Sequence, residues 1–404
     1  MTEYFIGNLL TGRRLQTLPV MTGPWSDQIH VAETITVTVD LNDADVRDLD
    51  LDSSAAPAQS FLAVRENGRI VAAGPIWTSV YDRPKRTLTL RAAGMASLFN
   101  HRLILPVLAA TIGVDQWTVP DPADPTKTMP NPALATVFSG ISLGTMAKRL
   151  VQQARTWTGG NVPIEFQPDE AAARTKTYDA VNFKPVWEAC TDIMNMDDGP
   201  EINFQALDTD DLLGVKWLME TGTVAEPLIT STSIVDWDLT AKESPISDFQ
   251  ITTDATKMGS LAWQTGGAQN STVVVSRAYD PTLVSAGYPL MELSDSSHST
   301  VDRQDTLDDY ATADVIAGRR AVEVWSFSVK AYPTDQLGNP AGPQVGDYQV
   351  GDFCNIHIDA FDPKALTGDP FKHAGGDFPM RIIGISGDEK GIDLKIDLAP
   401  ALVA

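Results

Sequence analysis

The stretch QVGDYQVGDFCNIHIDAF at residues 344–361 is followed, after a polar loop, by FPMRIIGISGDEKGIDLKIDLAP at residues 378–400. In the first part Cys354, Ile356 and Ile358 alternate with polar and aromatic residues at a period of two, and glycine and aspartate bound the runs. Alternation bounded by turn residues is typical of antiparallel strands that bury one face. These residues therefore predict the wall of a small β-barrel or sandwich.

A second stretch of this type lies near the N-terminus. Residues 34–40 read TITVTVD, an alternating pattern rich in β-branched side chains that favours a half-buried strand. Residues 61–74 place the dipeptide Asn67-Gly68 between two apolar runs, which is the strongest short signal for a β-hairpin. The sequence TLTLRA at residues 87–92 predicts one more strand, so the two ends of the chain are both predicted to be β-modules.

Between these modules the sequence predicts a mixture of helices and strands. Residues 117–132 contain five prolines and are therefore expected to form neither helix nor inner strand. An apolar stripe at helical spacing, preceded by a serine cap, runs from Leu143 to Ala154, and Pro185 opens a second helix. Residues 201–204 and 215–219 predict a pair of strands.

These patterns predict an α+β fold that is mainly β, with two antiparallel barrel-like domains and an α/β insertion. The expected domains are an N-terminal barrel-like domain over residues 1–105, an α/β insertion domain over residues 106–228, and a second barrel-like domain over residues 229–404. The last of these is expected to contain one helix, which begins at Thr306.

The chain is strongly acidic. Of its 404 residues, 53 are Asp or Glu and 30 are Lys or Arg, which gives a formal net charge of −23 at pH 7. A surface of this sign repels the phosphate backbone and argues against conventional nucleic-acid recognition. Two explanations stay open: the charge keeps the protein soluble, or it prevents DNA or another polyanion from adhering to a surface that it passes.

The sequence carries no pattern of a membrane span or of an export signal. No run approaches eighteen apolar residues, and the opening MTEYFIGNLLTGRR lacks a basic region followed by a long apolar core. Cys190 and Cys354 lie far apart, and both are expected to be buried free thiols. We therefore expect no membrane insertion and no disulfide.

Three local clusters suggest catalysis or metal binding, and each lacks a required part. His101 has no nucleophile or carboxylate spaced near it. His298 lies close to Ser294 and Asp302, but no nucleophile elbow such as GxSxG is present. Residues 208–211, DTDD, lack the spacing, central glycine and final glutamate of a calcium loop. The prediction is therefore no catalytic residue, no metal ligand and no cofactor.

Two parts of the sequence together carry a resemblance to a known family. They are FLAVRENGRIVAAGPIWTSVYDRPKRTLTLRAAGMASLFNHR at residues 61–102, and VGDYQVGDFCNIHIDAF at 345–361 with RIIGISGDEKGIDLKIDLA at 381–399. In this order the chain resembles the minor tail proteins of long-tailed phages that infect actinobacteria. It is similar to their tail-tip hub, which itself resembles the baseplate hub of contractile tails. The resemblance spans nearly the whole chain.

The resemblance implies a structural, non-enzymatic protein of the virion, located at the phage tail tip. Such hubs are homotrimers whose two barrel-like domains alternate around a ring and match the hexameric tail ring above. The implied role is to close the tail tube and guide DNA ejection, with DNA passing without specific binding. The implied partners are the distal tail protein ring, the tape measure protein and tail-tip fibre or spike proteins. Because the chain ends at Ala404, soon after the last predicted strand, a C-terminal peptidoglycan-cleaving extension is not expected.

Three alternatives stay open on the sequence. The first is a hexameric distal tail adaptor protein, the second a tail-associated cell-wall hydrolase, which needs two carboxylates at a defined separation. The third is a carbohydrate-binding protein that stacks sugar on Trp117 or Trp157.

A trimer around a channel would also need acidic side chains along its lumen. The polar segments expected to supply them are residues 43–52, 208–211 and 294–309.

Overall fold

The computed structural model describes residues 2–29, 31–108, 112–196, 198–231, 234–241, 244–269, 272–298, 301, 303–372 and 374–401. Strand residues outnumber helical ones by 44% to 17%, and the sheets are mainly antiparallel. The predicted mainly β character is therefore confirmed. Within these ranges, no helix combines the length and the apolar character that crossing a bilayer requires.

The N-terminal part consists of seven strands and two short helices. The strands are β1 (Thr2–Asn8), β2 (Arg14–Thr17), β3 (Trp25–Gln28), β4 (Val31–Asp40), β5 (Ser60–Glu66), β6 (Arg69–Asp82) and β7 (Thr87–Ala93). The helices are α1 (Ala44–Arg47) and α2 (Leu51–Ser54), and a 3-10 helix at Met95–His101 follows β7. The predicted strand, hairpin and returning strand are β4, β5–β6 and β7, whereas β1, β2 and β3 were not predicted.

The middle part contains the two predicted helices and seven strands. The elements are β8 (Thr118–Pro120), β9 (Thr128–Pro130), β10 (Thr136–Ile141), α3 (Leu143–Arg155), β11 (Ile164–Phe166), β12 (Ala171–Tyr178), α4 (Val186–Met194), β13 (Ile202–Asp208) and β14 (Val215–Thr221), with 3-10 turns at Val114–Gln116, Pro132–Leu134 and Ala180–Asn182. The Ser142 hydroxyl caps α3 by accepting the Thr145 N–H at 3.2 Å. In the proline-rich stretch β8 and β9 pair only with each other among the described strands, as proline at a sheet edge permits.

The C-terminal part contains nine strands and two helices. They are β15 (Ile234–Asp238), β16 (Ile246–Asp254), β17 (Leu261–Gln269), β18 (Thr272–Tyr279), α5 (Thr282–Ser285), β19 (Glu292–Asp295), α6 (Gln304–Ala317), β20 (Val322–Lys330), β21 (Phe353–Ile358), β22 (Gly376–Gly387) and β23 (Asp393–Pro400). Helix α6 begins two residues before the predicted start at Thr306.

Strands from both ends of the chain form one sheet of thirteen strands. Its order is β16-β20-β23-β22-β3-β4-β7-β6-β5-β1-β2, while β21 pairs with β22 and β15 runs parallel to β21. The N-terminal and C-terminal strands meet at the antiparallel pair β3–β22, where Trp25 lies opposite Gly387 and Gln28 opposite Gly384. We call this pair the seam. The smaller sheets are β8–β9, β10–β12, β11–β14–β13 and β18–β17–β19.

The predicted pair of barrel-like domains is not confirmed, because no sheet among the described residues closes into a barrel. Periodicity correctly predicted that Cys354, Ile356 and Ile358 face inward, and each is at most 3% exposed. Periodicity carries no information, however, about which distant strand will be the neighbour. The seam strand β3 has only four residues, too few for an alternating pattern to be recognised.

Strand β6 pairs first with β5 and then with β7. Near this change of partner, two side chains form hydrogen bonds with its backbone. Its residues 69–75 pair with β5, and its residues 76–82 pair with β7. In the part that pairs with β5, close to the change, the Ala73 N–H donates to Glu33 Oε2 at 2.7 Å, and the Ala73 carbonyl accepts the Trp217 indole N–H at 3.1 Å. Buried backbone groups are almost always paired, so these side chains replace a missing strand neighbour.

Two apolar cores lie on opposite faces of the N-terminal strands. In β5, Leu62 and Val64 belong to the core shared with the C-terminal strands, whereas Phe61 and Ala63 belong to the core shared with α3, α4 and β14. A strand buried on both faces reads as a continuous apolar run rather than an alternating one, as FLAV does here. The middle part of the chain therefore packs against the back of the N-terminal strands.

Candidate assembly site

A buried ion pair joins the middle part of the chain to the C-terminal strands. The two guanidinium Nη atoms of Arg381, on β22, donate to the two carboxylate oxygens of Glu201 at 2.5 Å each. The Arg381 Nε–H donates to the Gly351 carbonyl at 2.9 Å, and its Nη2 also donates to the Ile229 carbonyl at 2.8 Å. Arg381 and Glu201 are only 8% and 5% exposed. One side chain thus holds three chain segments together.

Glu201 uses its carboxylate for a second segment as well. Its Oε2 accepts the Ile229 N–H at 2.7 Å, so both backbone groups of Ile229 are bonded within this ion pair. Ile229 lies where the chain passes from β14 toward β15. The pair therefore fixes the path by which the chain returns to the C-terminal strands.

Beside this pair lies a cavity of about 490 Å³, formed where the N-terminal, middle and C-terminal parts meet. Its walls come from Trp25, Asp27, Glu33, residues 68–71, Asn203, residues 205–208, Ser231, residues 345–350, Asp352, Ile385 and Leu394. We call it the junction cavity. No single part of the chain forms it, so its shape depends on the contact between all three.

Two of the carboxyl groups that line the junction cavity, those of Asp27 and Glu33, interact electrostatically. Burial raises the pKa of Asp27 to about 6, opposed by a hydrogen bond from the Gln28 backbone. Burial also raises the pKa of Glu33 well above its usual range, helped by the nearby Asp27 charge and opposed by the Ala73 N–H. Two carboxyl groups that interact this way cannot both ionise at low cost. The Glu33 carboxyl also anchors β6 near the point where that strand changes partners.

The structure places the three predicted acidic segments in different surroundings. Residues 43–52 contain α1 and the start of α2, and the carboxylates of Asp43 and Asp50 cap those helices. Asp43 and Asp50 are exposed. The other acidic residues of this segment, Asp45, Asp48 and Asp52, are exposed as well. Exposed carboxylates on a segment between two strands can face a neighbouring molecule or a channel.

The aspartates of the segment 208–211 form ion pairs or hydrogen bonds with nearby residues of this chain. Asp208 forms an ion pair with Arg65, and Lys216 contacts Asp210 at 3.1 Å. The Asp211 carboxylate accepts the Leu213 N–H at 3.0 Å within the turn that joins β13 to β14. Among the residues that the structure describes, no group of three or more His, Cys, Asp or Glu side chains is arranged to hold a metal ion.

The segment 294–309 runs from β19 into the first turns of α6. Within it His298 stacks on Tyr310 with ring centroids 4.0 Å apart and lies 3.3 Å from the Asp295 carboxylate. Asp302, the aspartate of the Ser–His–Asp arrangement considered from the sequence, lies outside the described residues. His298 is therefore held by the Tyr310 ring and the Asp295 carboxylate.

The remaining candidates from the sequence are packed against neighbours. The His101 ring lies against Trp77 in a tilted contact, with ring centroids 4.7 Å apart. The Trp117 and Phe183 ring centroids are 5.2 Å apart, and the Trp157 indole N–H donates to the Leu105 carbonyl at 3.3 Å. Burial raises the pKa values of both cysteine thiols, that of Cys354 to about 12. The expectation of two buried free thiols is confirmed.

An exposed apolar face lies on the outer side of the β17–β18 hairpin. Trp263, Val273, Val275 and Tyr279 are 39%, 54%, 51% and 47% exposed, and the Arg277 guanidinium lies 5.6 Å from the Trp263 ring centroid. The opposite side of the hairpin is covered by α6, which buries Val274 with Leu307. An exposed apolar face of this kind is a candidate surface for contact with another protein.

The junction cavity and the Arg381–Glu201 pair could not be located from the sequence. Each combines residues more than a hundred positions apart, and a single sequence contains no signal for such contacts. The apolar face did have a signal, because Val273, Val274 and Val275 form an apolar run rather than an alternation.

Two solved structures share this fold over nearly the whole chain. The tail protein from Neisseria meningitidis MC58 has a TM-score of 0.50 and 13% identity, covering 99% of this chain and 96% of its own. The 43 kDa tail protein of prophage MuSo2 from Shewanella oneidensis has a TM-score of 0.51 and 9% identity, covering 98% of both chains. No family model matches the sequence, and no curated protein matches it either. The chain therefore has the fold of phage tail proteins, and the resemblance stated from the sequence is confirmed at the level of fold.

Proposed function

We propose that this protein is a structural subunit of a phage tail, located in the virion at the tail tip. The observation that carries the proposal is the end-to-end match with two tail proteins of similar length, in which 98–99% of this chain is covered. A likeness restricted to one sheet would be compatible with many functions, because a fold alone does not determine function. The match over nearly the full length of both chains instead supports an equivalent subunit.

Within the tail tip, the proposed form is the hub, a homotrimeric ring that closes the tail tube and guides DNA as it is ejected. The ring would contact a distal tail protein ring, a tape measure protein and tail-tip fibre or spike proteins. The role proposed is architectural, without catalysis. The division of the chain into three domains, with boundaries at residues 105 and 228, stays a prediction. The actinobacterial host of the phage also stays a prediction.

Three subunits around a channel would carry three times the formal charge of −23, about −69 in total. Exposed carboxylates such as Asp45, Asp48 and Asp52 suit a lumen that DNA passes, because they repel phosphate. The same charge repels neighbouring subunits, so apolar contact must outweigh it. The outer face of β17–β18 is the surface we assign to that contact with a second copy.

The test is the mass of the purified protein under native conditions. A trimer of 43.6 kDa chains, about 131 kDa, is the expected species, and an image of the reconstituted tail tip should show three copies around a channel. A hexamer would instead support the distal tail adaptor. A protein that stays monomeric when mixed with its neighbouring tail proteins would contradict the hub.

A further inference from the structure

A second cavity of about 490 Å³ lies between β12, α4 and the N-terminal end of α6. It is separate from the junction cavity, since the two share no lining residue. Its lining includes four basic residues, Arg174 and Lys176 on β12 with Lys184 and Arg303, as well as four aspartates and the buried Tyr178. We call it the β12 cavity.

Tyr178 brings a buried hydroxyl group to this cavity. The residue is 7% exposed, and its hydroxyl has no hydrogen-bond partner among the described residues. Burial raises the pKa of Tyr178 well above its usual range, with Asp192 among the groups that add to the effect, so the hydroxyl keeps its proton. An unpaired buried hydroxyl costs free energy, and a bound acceptor would remove that cost.

Lys176 brings a positive charge over the ring of Tyr178. Its Nζ lies 5.6 Å from the Tyr178 ring centroid, and no carboxylate of the described residues forms an ion pair with it. Burial lowers the pKa of Lys176, which a nearby Asp192 opposes. Asp192 itself is engaged by Lys184, at 2.6 Å. Lys176 is therefore a partly desolvated cation that forms no ion pair with a described residue.

Two further features of the lining favour a negative ligand. The N-terminal end of α6, a helix of fourteen residues, contributes Arg303 and Thr306 to the wall, and helix N-termini attract anions. Arg174 lies exposed on β12 at the same cavity. Acidic residues also line it, namely Asp179, Asp192, Asp305 and Asp309, of which Asp192 and Asp305 are paired with Lys184 and Arg303.

We propose that the β12 cavity binds an oxyanion, a carboxylate or phosphate group, which Lys176 Nζ and the Tyr178 hydroxyl contact directly. The ligand supplies the acceptor that the hydroxyl lacks and an ion-pair partner for the lysine. Two sources offer this chemistry: a small anion from solution, or a carboxylate side chain of a second copy. The site itself does not depend on the tail role.

The site is tested by thermal unfolding in phosphate against chloride at equal ionic strength, with the wild type, Lys176→Gln, Tyr178→Phe and the control Lys85→Gln. Lys85 lies in an exposed turn, where it pairs with Asp82. With phosphate at about ten times its Kd, linkage predicts a Tm rise of about 1–2 °C for a chain of this size. The rise should persist in the control, shrink in Tyr178→Phe and vanish in Lys176→Gln. Equal rises in all four proteins would overturn the proposal, because that is the general effect of excluded salts.

Tyr178→Phe keeps the ring, so it reports on the hydroxyl even where Lys176→Gln folds poorly. The source of the ligand is then decided by self-association of the wild type and Lys176→Gln without phosphate. Weaker association of the variant assigns the site to a carboxylate of a second copy. Unchanged association, together with the phosphate effect above, assigns it to a free anion.

Discussion

Arg381 and Glu201 lie 180 positions apart in sequence and form a buried, two-pronged ion pair. Removing one partner leaves the other charge buried without compensation, which costs about 3–5 kcal/mol. We expect Glu201→Gln and Arg381→Met each to lower the free energy of unfolding by that amount, measured by urea denaturation. The double variant should recover much of the loss, because neither charge is then left alone.

The matched control for this prediction is Lys330→Gln. Lys330 pairs with Asp393 at 2.9 Å, but both side chains are 55% exposed, and exposed pairs contribute about 0–1 kcal/mol. If the two single variants at the buried pair lost no more stability than this control, the pair would not be what holds the segments together.

The Asp27–Glu33 pair predicts a fall in stability as pH rises. The raised pKa of Asp27, about 6, means that the folded state binds the proton more tightly than the unfolded chain does. The stabilisation that this tighter proton binding gives the folded state is fully present below the unfolded-state pKa of about 4, and it is lost as pH rises through 6. At pH 7 Asp27→Asn should therefore exceed the wild type in unfolding free energy, by at most about 3 kcal/mol.

The comparison of unfolding free energies at pH 4 and pH 7 checks this prediction. The advantage of Asp27→Asn over the wild type should close toward pH 4, whereas Asp48→Asn, at an exposed residue of the polar segment, should show no such trend. A wild type that gained stability relative to Asp27→Asn between pH 4 and pH 7 would reverse the sign and refute the assignment.

The local elements of this fold were predictable because their signals are local. Asn67 and Gly68 both have positive φ, 46° and 82°, which is what a two-residue hairpin turn needs and what this dipeptide adopts at low cost. Ser142 precedes an apolar stripe, so the start of α3 followed from the sequence. Such features depend on a few neighbouring residues, and periodicity with turn chemistry describes them well.

The contacts between distant strands were not predictable for the opposite reason. Trp25 lies opposite Gly387 at the seam, and an added Cβ at Gly387 would come within 2.9 Å of the Trp25 ring. Nothing within either segment specifies the other. The same applies to both cavities, whose walls come from separate parts of the chain. The acidic composition indicated how the surface interacts with DNA but could not identify which carboxylates are exposed.

The hairpin turn itself offers a direct test of backbone strain. An added Cβ at Gly68 meets no atom within 4 Å, so Gly68→Ala changes only the backbone preference. A left-handed conformation costs a non-glycine residue about 1–2 kcal/mol, and we expect that loss in urea denaturation. Asn67→Gly, in the same turn, should cost less. Equal stability of Gly68→Ala and the wild type would show that the turn relaxes.

The seam predicts that the two ends of the chain unfold together. Trp25 is 4% exposed in the core shared by both, so Trp25→Ala should cost about 3–5 kcal/mol. Hydrogen exchange should then accelerate in both β4 and β22. The control Tyr81→Ala, at a residue 58% exposed on β6, should change stability by less than about 0.5 kcal/mol. Faster exchange confined to the N-terminal strands would argue against a continuous cooperative sheet.

The proposed ring predicts that self-association responds to salt in an unusual direction. Subunits of −23 each repel one another, and the Debye length shrinks from about 30 Å at 0.01 M salt to about 8 Å at 0.15 M. Association through the apolar face of β17–β18 should therefore strengthen between these concentrations, as measured by sedimentation. Val275→Ser should weaken it at both, because that side chain is 51% exposed on the proposed contact. The control Val80→Ser, 47% exposed on β6, should leave it unchanged. Association that weakened with added salt would mean that ion pairs, rather than apolar contact against repulsion, hold the subunits together.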